Sequence, residues 1–248
     1  MQYDFRAALA GALSLTALAS AVIIAPAYAA AMSADAVEAA IESNPEMVGK
    51  ALMKLQARGQ AEEEKRAADA IGPVAQSVLR GDRLVGMVGN PKGTHRIVEF
   101  FDYNCGYCKV FATKSLKPLL ASDPQAVVHL VQTPILGPGS RRMAEMAAAA
   151  QMQGPARFRV AHDWLLEQRA PSLADADALR PGLIAAARLD KAAFDRSLTD
   201  GSAARIVDHN AALARKAGVN GTPAIYAGGR AFKGMIELPM LHEALTRR

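Results

Sequence analysis

The sequence predicts an α/β fold in which a helical arm precedes a β-α-β unit, a long helical segment, a β-hairpin and a closing helix. Three observations support this prediction. A strand-like apolar run ends just before Cys105, helical patterns fill most of the chain from Ser140 to Ala217, and strand signals return on both sides of Gly228-Gly229. Strands that alternate with helical patterns are typical of β-α-β units and a parallel sheet.

Residues 1–29 are predicted to form a secretory signal peptide that is removed on export. Arg6 supplies a short positive region, an apolar stretch runs from Ala8 to about Ile24, and Ala27-Tyr28-Ala29 is a small-x-small cleavage site. Because Asp4 cancels the charge of Arg6, a retained membrane anchor is the alternative. The cleavage site directly behind a stretch rich in small residues favours removal, so we expect an exported, soluble protein in the periplasm.

The composition excludes one class of function. The chain has 248 residues and a net charge of +5, and 51% of its residues are hydrophobic while only 5% are aromatic. This length leaves room for one or two domains, and the low aromatic content suits a largely helical protein. The basic residues are scattered, with no run that would follow a phosphate backbone, so we expect no nucleic-acid partner.

Residues 30–80 are predicted to form an N-terminal helical arm. Ser33 can cap a first short helix, and a second helix begins near Pro45, because proline suits the first turn of a helix. The apolar face of the second helix consists of Val48, Leu52 and Leu55. This face must be buried, either on the chain's own domain or on another copy of the chain. We expect self-association, because a polar stretch and Gly72-Pro73 separate the arm from the remainder.

Residues 81–248 are predicted to form the main domain, with a helical insert at about residues 140–217. The predicted elements are a strand over His95–Tyr103, a helix over Gly106–Leu120, a strand over Ala126–Thr133, the insert, hairpin strands at Ala224–Tyr226 and Ala231–Phe232, and a helix over Leu238–Thr246. Asp123-Pro124 ends the first of these helices, and Gly228-Gly229 predicts the tight turn of the hairpin.

Cys105 and Cys108 are the only cysteines, and they lie where the first strand gives way to a helix. A bridge across two intervening residues would constrain little of the unfolded chain, so a structural staple explains the pair poorly. The pair is then either a redox dithiol or a metal site that holds Cu(I) between two thiolates. Because a helix N-terminus stabilises a thiolate, Cys105 is the predicted nucleophile, exposed at the helix end, and Cys108, one turn further in, is the predicted resolving residue.

Thr222-Pro223 lies just before the hairpin strands. An X-Pro bond can be cis at modest cost. A cis-proline facing the dithiol would offer backbone groups of Thr222 to a bound peptide and would leave no room for a metal. For Pro223 alone, an ordinary trans proline that starts a strand is the simpler interpretation. Together with an upstream Cys-x-x-Cys on a β-α-β unit, the pattern predicts the cis form and a redox site.

Four sequence elements, in this order, resemble the DsbA-like oxidoreductases over about residues 84–248. They are Val98-Glu99-Phe100-Phe101, the Cys105–Cys108 pair, Pro134-Ile135-Leu136-Gly137-Pro138 with Ser140, and Gly221-Thr222-Pro223. The resemblance implies a thioredoxin fold with a DsbA-like helical insertion. It also implies that Glu99 is a buried acid that relays the proton of Cys108, a role that a pKa raised by burial would suit. A tolerated charge at the end of a strand is the alternative for Glu99.

The residues between the cysteines depart from DsbA itself. Gly106-Tyr107 is like the disulfide isomerase DsbC, and so is Thr222 before the proline. This dipeptide lacks the histidine that makes DsbA a strong oxidant, so the Cys105–Cys108 disulfide should be a weaker oxidant than that of DsbA. With its N-terminal arm, the chain looks like the ScsC subgroup (suppressor of copper sensitivity), in which such catalytic domains oligomerise through N-terminal helices. Gly106, Tyr107 and Thr222 are the implied contacts to substrate.

We therefore predict an exported protein disulfide isomerase or reductase with five catalytic residues and no cofactor beyond the redox-active disulfide. These residues are Cys105, Cys108, Thr222, Pro223 and Glu99. The alternatives are a DsbA-type dithiol oxidase, a Cu(I)-binding copper-tolerance protein, and a chaperone or adaptor without redox turnover. The expected partners are exported clients with disulfides, further copies of the chain, and a membrane protein that resets the thiols, either a reductase like DsbD or ScsB or an oxidase like DsbB.

Overall fold

The computed structural model describes residues 33–246, so the predicted signal peptide lies outside the described residues. The chain divides into two units at Leu52–Met53. The first unit contains helix α1 (Ala34–Ser43), capped by Ser33 as predicted, and the beginning of helix α2 (Pro45–Leu79). The side-chain oxygen of Ser33 accepts a hydrogen bond from the backbone N–H of Ala36, which satisfies one free donor of the first turn.

The second unit is built on a five-stranded sheet with the order β1-β3-β2-β4-β5. Its strands are β1 (Gly86–Gly89), β2 (His95–Phe101), β3 (Ala126–Gln132), β4 (Ala224–Ala227) and β5 (Arg230–Lys233). Strands β2 and β3 are parallel, as the β-α-β prediction requires, and the other pairs are antiparallel. The sequence analysis missed β1, because a four-residue strand with a glycine at each end has almost no apolar alternation.

Helices cover both faces of the sheet and confirm the predicted α/β class. One helical stretch joins β2 to β3 and comprises α3 (Gly106–Phe111), a π-helical turn (Ala112–Leu116) and α4 (Lys117–Ser122). Between β3 and β4 lie α5 (Pro138–Gln151), α6 (Pro155–Glu167), α7 (Leu173–Ala178), α8 (Arg180–Ala186), α9 (Lys191–Thr199) and α10 (Ser202–Lys216), and α11 (Leu238–Thr246) follows the hairpin. The predicted domain boundaries, at residues 29/30 and 80/81, are not tested by these elements and remain predictions.

The C-terminal half of α2 covers one face of the sheet. Ile71 and Val78 are buried there, and they share a core with Val98 and Phe100 of β2. The predicted break at Gly72-Pro73 is therefore wrong, because the helix continues through this pair. A proline inside a helix costs about 3 kcal/mol, but each buried aliphatic side chain contributes about 1.5–3 kcal/mol, which offsets that cost.

The opposite face of β2 carries the residues that lead to the cysteines. Ile97 and Phe101 point to this side, where they are buried with Cys105 and Cys108 in the larger core. Because side chains alternate along a strand, Glu99 points to the same side. Within residues 33–246, no helix has the length and apolar character needed to cross a bilayer.

Candidate active site

Cys105 and Cys108 lie at the N-terminal end of α3, directly after the turn that follows β2. Cys105 is the N-cap residue, and its backbone carbonyl accepts a hydrogen bond from the N–H of Lys109 at 3.2 Å. Cys108 lies one turn into the helix and exposes only 1% of its surface. Cys105 exposes 6%, so the expectation of an exposed first thiol is wrong. It is wrong because a loop from the far end of the chain covers this sulfur.

That loop contains Thr222 and Pro223, and the peptide bond between them is cis, as predicted. The Cys105 thiol donates a hydrogen bond to the carbonyl oxygen of Thr222, with Sγ and oxygen 3.1 Å apart. The antiparallel pairing of β2 with β4, in register at Phe100 and Ala224, brings these distant segments together. Within the described part of the chain, the backbone N–H groups of residues 220–222 donate to no acceptor. They are therefore free to bind an extended peptide.

Glu99 is a buried acid, as the resemblance implied, and exposes only 2% of its surface. Burial raises its pKa from 4.5 to about 8. Burial also raises the pKa of Cys108, and the nearby Glu99 and Cys105 raise it further, whereas a backbone hydrogen bond at Asp102 lowers it. The Cys108 thiol is therefore held protonated beside a carboxyl group that can take up a proton near neutral pH.

The surface around the thiols is apolar. Tyr107, between the two cysteines, is 68% exposed, and Val110 one turn further on is 43% exposed. Ile135 and Leu136 are 46% and 51% exposed. Soluble proteins seldom expose several large apolar side chains close together, and where they do the surface is usually a binding site. Gly106 has no neighbouring atom within 4 Å of where a Cβ would stand, so the approach to the dithiol is open on its side.

The sequence analysis missed Asp102, which holds the loop of Ile135 and Leu136 next to the cysteines. Its Oδ2 accepts hydrogen bonds from the backbone N–H groups of these two residues at 2.9 and 3.0 Å. Its Oδ1 accepts from the N–H of Asn104 at 2.8 Å, which closes the turn before Cys105. The sequence did contain an indication of this turn, because aspartate and asparagine directly after a strand are typical of turns closed by their own side chains.

Asn104 ties the same turn to the segment between α6 and α7. Its Nδ2 donates to the carbonyl oxygen of Ala170 at 2.7 Å and to Oγ of Ser140 at 3.0 Å. Its Oδ1 accepts from the N–H of Ala170 at 2.9 Å. Asn104 thus pairs with both backbone groups of Ala170, and the Ser140 hydroxyl accepts the remaining contact of its amide, which explains the place of Ser140 in the motif.

We expect Asn104→Ala to lower the free energy of unfolding by about 2 kcal/mol, because it leaves both backbone groups of Ala170 without their partner. Urea denaturation of the reduced protein measures this change. Asn220→Ala is the matched control, since Asn220 is exposed and forms no hydrogen bond within the described residues. Equal losses in the two variants would contradict this role of Asn104.

Histidine and acidic residues do not gather into an additional site. Within residues 33–246, no group of three or more histidine, cysteine, aspartate or glutamate side chains is arranged to hold a metal ion.

A Cys-x-x-Cys at a helix N-terminus, faced by a cis-proline before an antiparallel strand, defines a dithiol protein of the thioredoxin fold. A protein-family profile described as Thioredoxin matches residues 84–247, and the chain belongs to this family. A thioredoxin-like oxidoreductase from Silicibacter pomeroyi DSS-3 is 31% identical, with a TM-score of 0.58 over 66% of this chain and 91% of that one.

Two further solved structures have the same fold. The thiol-disulfide exchange protein alpha-DsbA2 from Wolbachia pipientis is 23% identical, with a TM-score of 0.62 over 73% of this chain and 96% of its own. A linker-deletion mutant of ScsC from Proteus mirabilis is 22% identical, with a TM-score of 0.58 over 84% and 89%. A search of curated proteins found no match. The predicted resemblance to DsbA-like and ScsC proteins is confirmed by their shared fold. The family and the 31% identical protein support the coarser class, an oxidoreductase of the thioredoxin family.

Proposed function

We propose that this chain is an exported protein disulfide isomerase or reductase that acts through Cys105 and Cys108. One observation carries the proposal: the Cys105 sulfur lies at a helix N-terminus and 3.1 Å from the carbonyl oxygen of Thr222. The helix end supplies amide donors that favour a thiolate. The cis-proline loop supplies free backbone groups on which a client can be held while its disulfide is attacked.

The proposed reaction has two exchange steps. The Cys105 thiolate attacks one sulfur of a client disulfide, a new bond forms between the two sulfurs, and the other client sulfur leaves as a thiolate. That thiolate can attack a different disulfide of the same client, and the client thiolate released there then attacks the mixed disulfide, which frees Cys105 and completes an isomerisation. Alternatively, Cys108 attacks the mixed disulfide, which releases the reduced client and leaves a Cys105–Cys108 disulfide. In this second step, Glu99 takes the proton of Cys108.

The dipeptide between the cysteines favours shuffling over oxidation. Gly106-Tyr107 places no cationic side chain between the two sulfurs, so it adds no charge that would stabilise the reduced form. A dithiol with a less stabilised thiolate is a weaker oxidant than DsbA and suits exchange in both directions. An exported isomerase must be kept reduced, so we assign it a membrane thiol reductase as partner and the periplasm as its compartment.

The first unit supports a further part of the proposal, assembly of several copies. Val37 and Ile41, one turn apart in α1, are 42% and 49% exposed, and Leu52 of α2, one turn after the half-buried Val48, is 56% exposed. No residue of α1 is buried. Apolar side chains at helical spacing that find no cover within their own unit are typical of a helix–helix interface between copies. An assembly would hold several dithiols around one client.

The test compares the wild type with a variant that carries Ile41→Lys and Leu52→Lys. We expect the wild type to sediment as an oligomer and to reactivate a substrate with scrambled disulfides. The variant should be a monomer with at least about fivefold lower reactivation, because a lone dithiol loses the effective concentration of its neighbours. Glu38→Lys with Lys54→Glu is the control on the polar side. A wild-type monomer that oxidises dithiols well and isomerises poorly would contradict the proposal.

A further inference from the structure

A cavity of about 230 Å³ opens beside the cis-proline loop, and neither cysteine lines it. Its walls come from α2, from the segment that leads to Pro223, and from the end of β5. Thr222 lines this cavity and also accepts the hydrogen bond from Cys105, so the two sites are adjacent. A polypeptide bound along the cis-proline loop would therefore lie next to the cavity.

The wall formed by α2 is fixed to the hairpin. The Glu64 carboxylate accepts a hydrogen bond from Nη2 of Arg230 at 3.0 Å, and Gln76 donates to the hydroxyl of Tyr226 at 3.0 Å. These contacts lie on both sides of the stretch of α2 that lines the cavity. The cavity is thus a built feature of the second unit, with a rigid helix on one side and strands on the other.

The cavity has an apolar floor and two cationic side chains, and no acidic residue lines it among the residues that the structure describes. The floor consists of Ala67, Ala70, Ile71, Ala217 and Val219. The cations are Arg66 and Lys233. Arg66 is exposed and forms no ion pair within residues 33–246. Among the described residues, the ion pair of Lys233 is a long one, 3.7 Å from Nζ to Oε1 of Glu63.

The size of the cavity indicates the kind of occupant. Sites for drug-sized ligands and cofactors span about 300–1,000 Å³, which is larger than the 230 Å³ found here. The space matches one or two side chains of an extended polypeptide. The free N–H groups of residues 220–222 supply the backbone partners that such a segment needs.

We propose that this cavity is a subsite for client polypeptides that carry an acidic side chain two or three residues from the attacked cysteine. The inference rests on the proposed function, since the client is held by the disulfide exchange at Cys105. The client backbone runs along the cis-proline loop, its apolar atoms cover the alanine floor, and its carboxylate lies between Arg66 and Lys233. Clients with basic residues at this position meet two like charges instead.

The test uses two peptides of equal length, each with one cysteine in a mixed disulfide with thionitrobenzoate. One peptide has glutamates at the second and third positions on each side of the cysteine, and the other has lysines. The reduced wild type should release the coloured thiol from the acidic peptide about fivefold faster at low salt. At about 1 M salt the ratio should approach one, because the charges are screened.

Arg66→Glu should bring the low-salt ratio of the two rates to about one or below. Arg66→Gln should lower it by an intermediate amount and serves as a second variant with a smaller change. Lys65→Glu is the matched control, because Lys65 directly precedes Arg66 but does not line the cavity. Lys65 instead forms a salt bridge with Asp69, with Nζ and Oδ2 3.0 Å apart. It makes the same change in net charge, so we expect it to keep the wild-type ratio.

Three results would overturn the inference. The wild type could react with both peptides at the same rate at low salt, or Lys65→Glu could change the ratio as much as Arg66→Glu does. In these two cases exchange still occurs, so the proposed function stands and only the subsite fails. If the wild type releases no thiol from either peptide, the proposed function fails as well.

Discussion

Cys105→Ser is expected to reduce disulfide exchange to the background rate, a loss on the order of a thousandfold or more, because a hydroxyl cannot replace the attacking thiolate. Cys108→Ser should behave differently. Its Cys105 still attacks, but no second thiol resolves the product, so a mixed disulfide with the client accumulates. The measurement is a mass spectrum and a non-reducing gel after reaction with a disulfide-containing client.

The double variant Cys105→Ser with Cys108→Ser is the control for this pair of experiments. It should neither turn over nor trap a client. The assignment of roles would be contradicted if Cys108→Ser reduced a client disulfide at the wild-type rate, or if Cys105→Ser was the variant that trapped the client. The structure explains the asymmetry, since Cys105 borders the cis-proline loop while Cys108 is closed off one turn deeper.

The elements around the dithiol could be predicted from the sequence because their signals are local. The strand predicted over His95–Tyr103 is found over His95–Phe101, just before the Cys-x-x-Cys, and the Gly-Gly between two short apolar runs forms the turn of the hairpin. Each of these patterns specifies one structure with little help from the remainder of the chain. The closing helix was predicted at Leu238–Thr246, where it is found. The parallel pairing of β2 with β3 followed from the helix between them.

Other features depend on contacts that no local pattern contains. The continuity of α2 through Gly72-Pro73 results from burial of its last turns under the sheet, and tertiary packing overrides the local preference of proline. The low exposure of Cys105 has a similar origin, because the covering Thr222 is more than a hundred residues away in sequence. Strand β1 forms because β3 offers an edge, and its glycines give little propensity of their own.

Asp102 and Asn104 fall between these two cases. Their residue types indicated a turn, but their partners lie in segments that only the fold brings close, at Ile135, Leu136 and Ala170. In the structure, Asp102 holds the loop of Ile135 and Leu136 by hydrogen bonds, whereas the buried Glu99 acts electrostatically on the Cys108 thiol.

The stability of the reduced protein is expected to fall steeply between about pH 5 and pH 8, and Glu99→Gln should remove much of this fall. Burial raises the pKa of Glu99 from 4.5 to about 8, so the folded chain keeps a proton that the unfolded chain releases. The stabilisation is complete below the lower pKa and is lost as pH rises through the higher one. The difference corresponds to on the order of 5 kcal/mol.

Glutamine resembles the protonated acid at every pH, so the two proteins should have similar free energies of unfolding at pH 5, and the variant should be the more stable one at pH 8.5. Urea denaturation at a series of pH values measures both curves, and histidine titration cancels in their difference. Glu62→Gln, at an exposed position of α2, is the control and should keep the wild-type slope. Parallel curves for the wild type and Glu99→Gln would rule out a buried acid with a raised pKa. The same variant should also slow the release of mixed disulfides, because its amide cannot take the proton of Cys108.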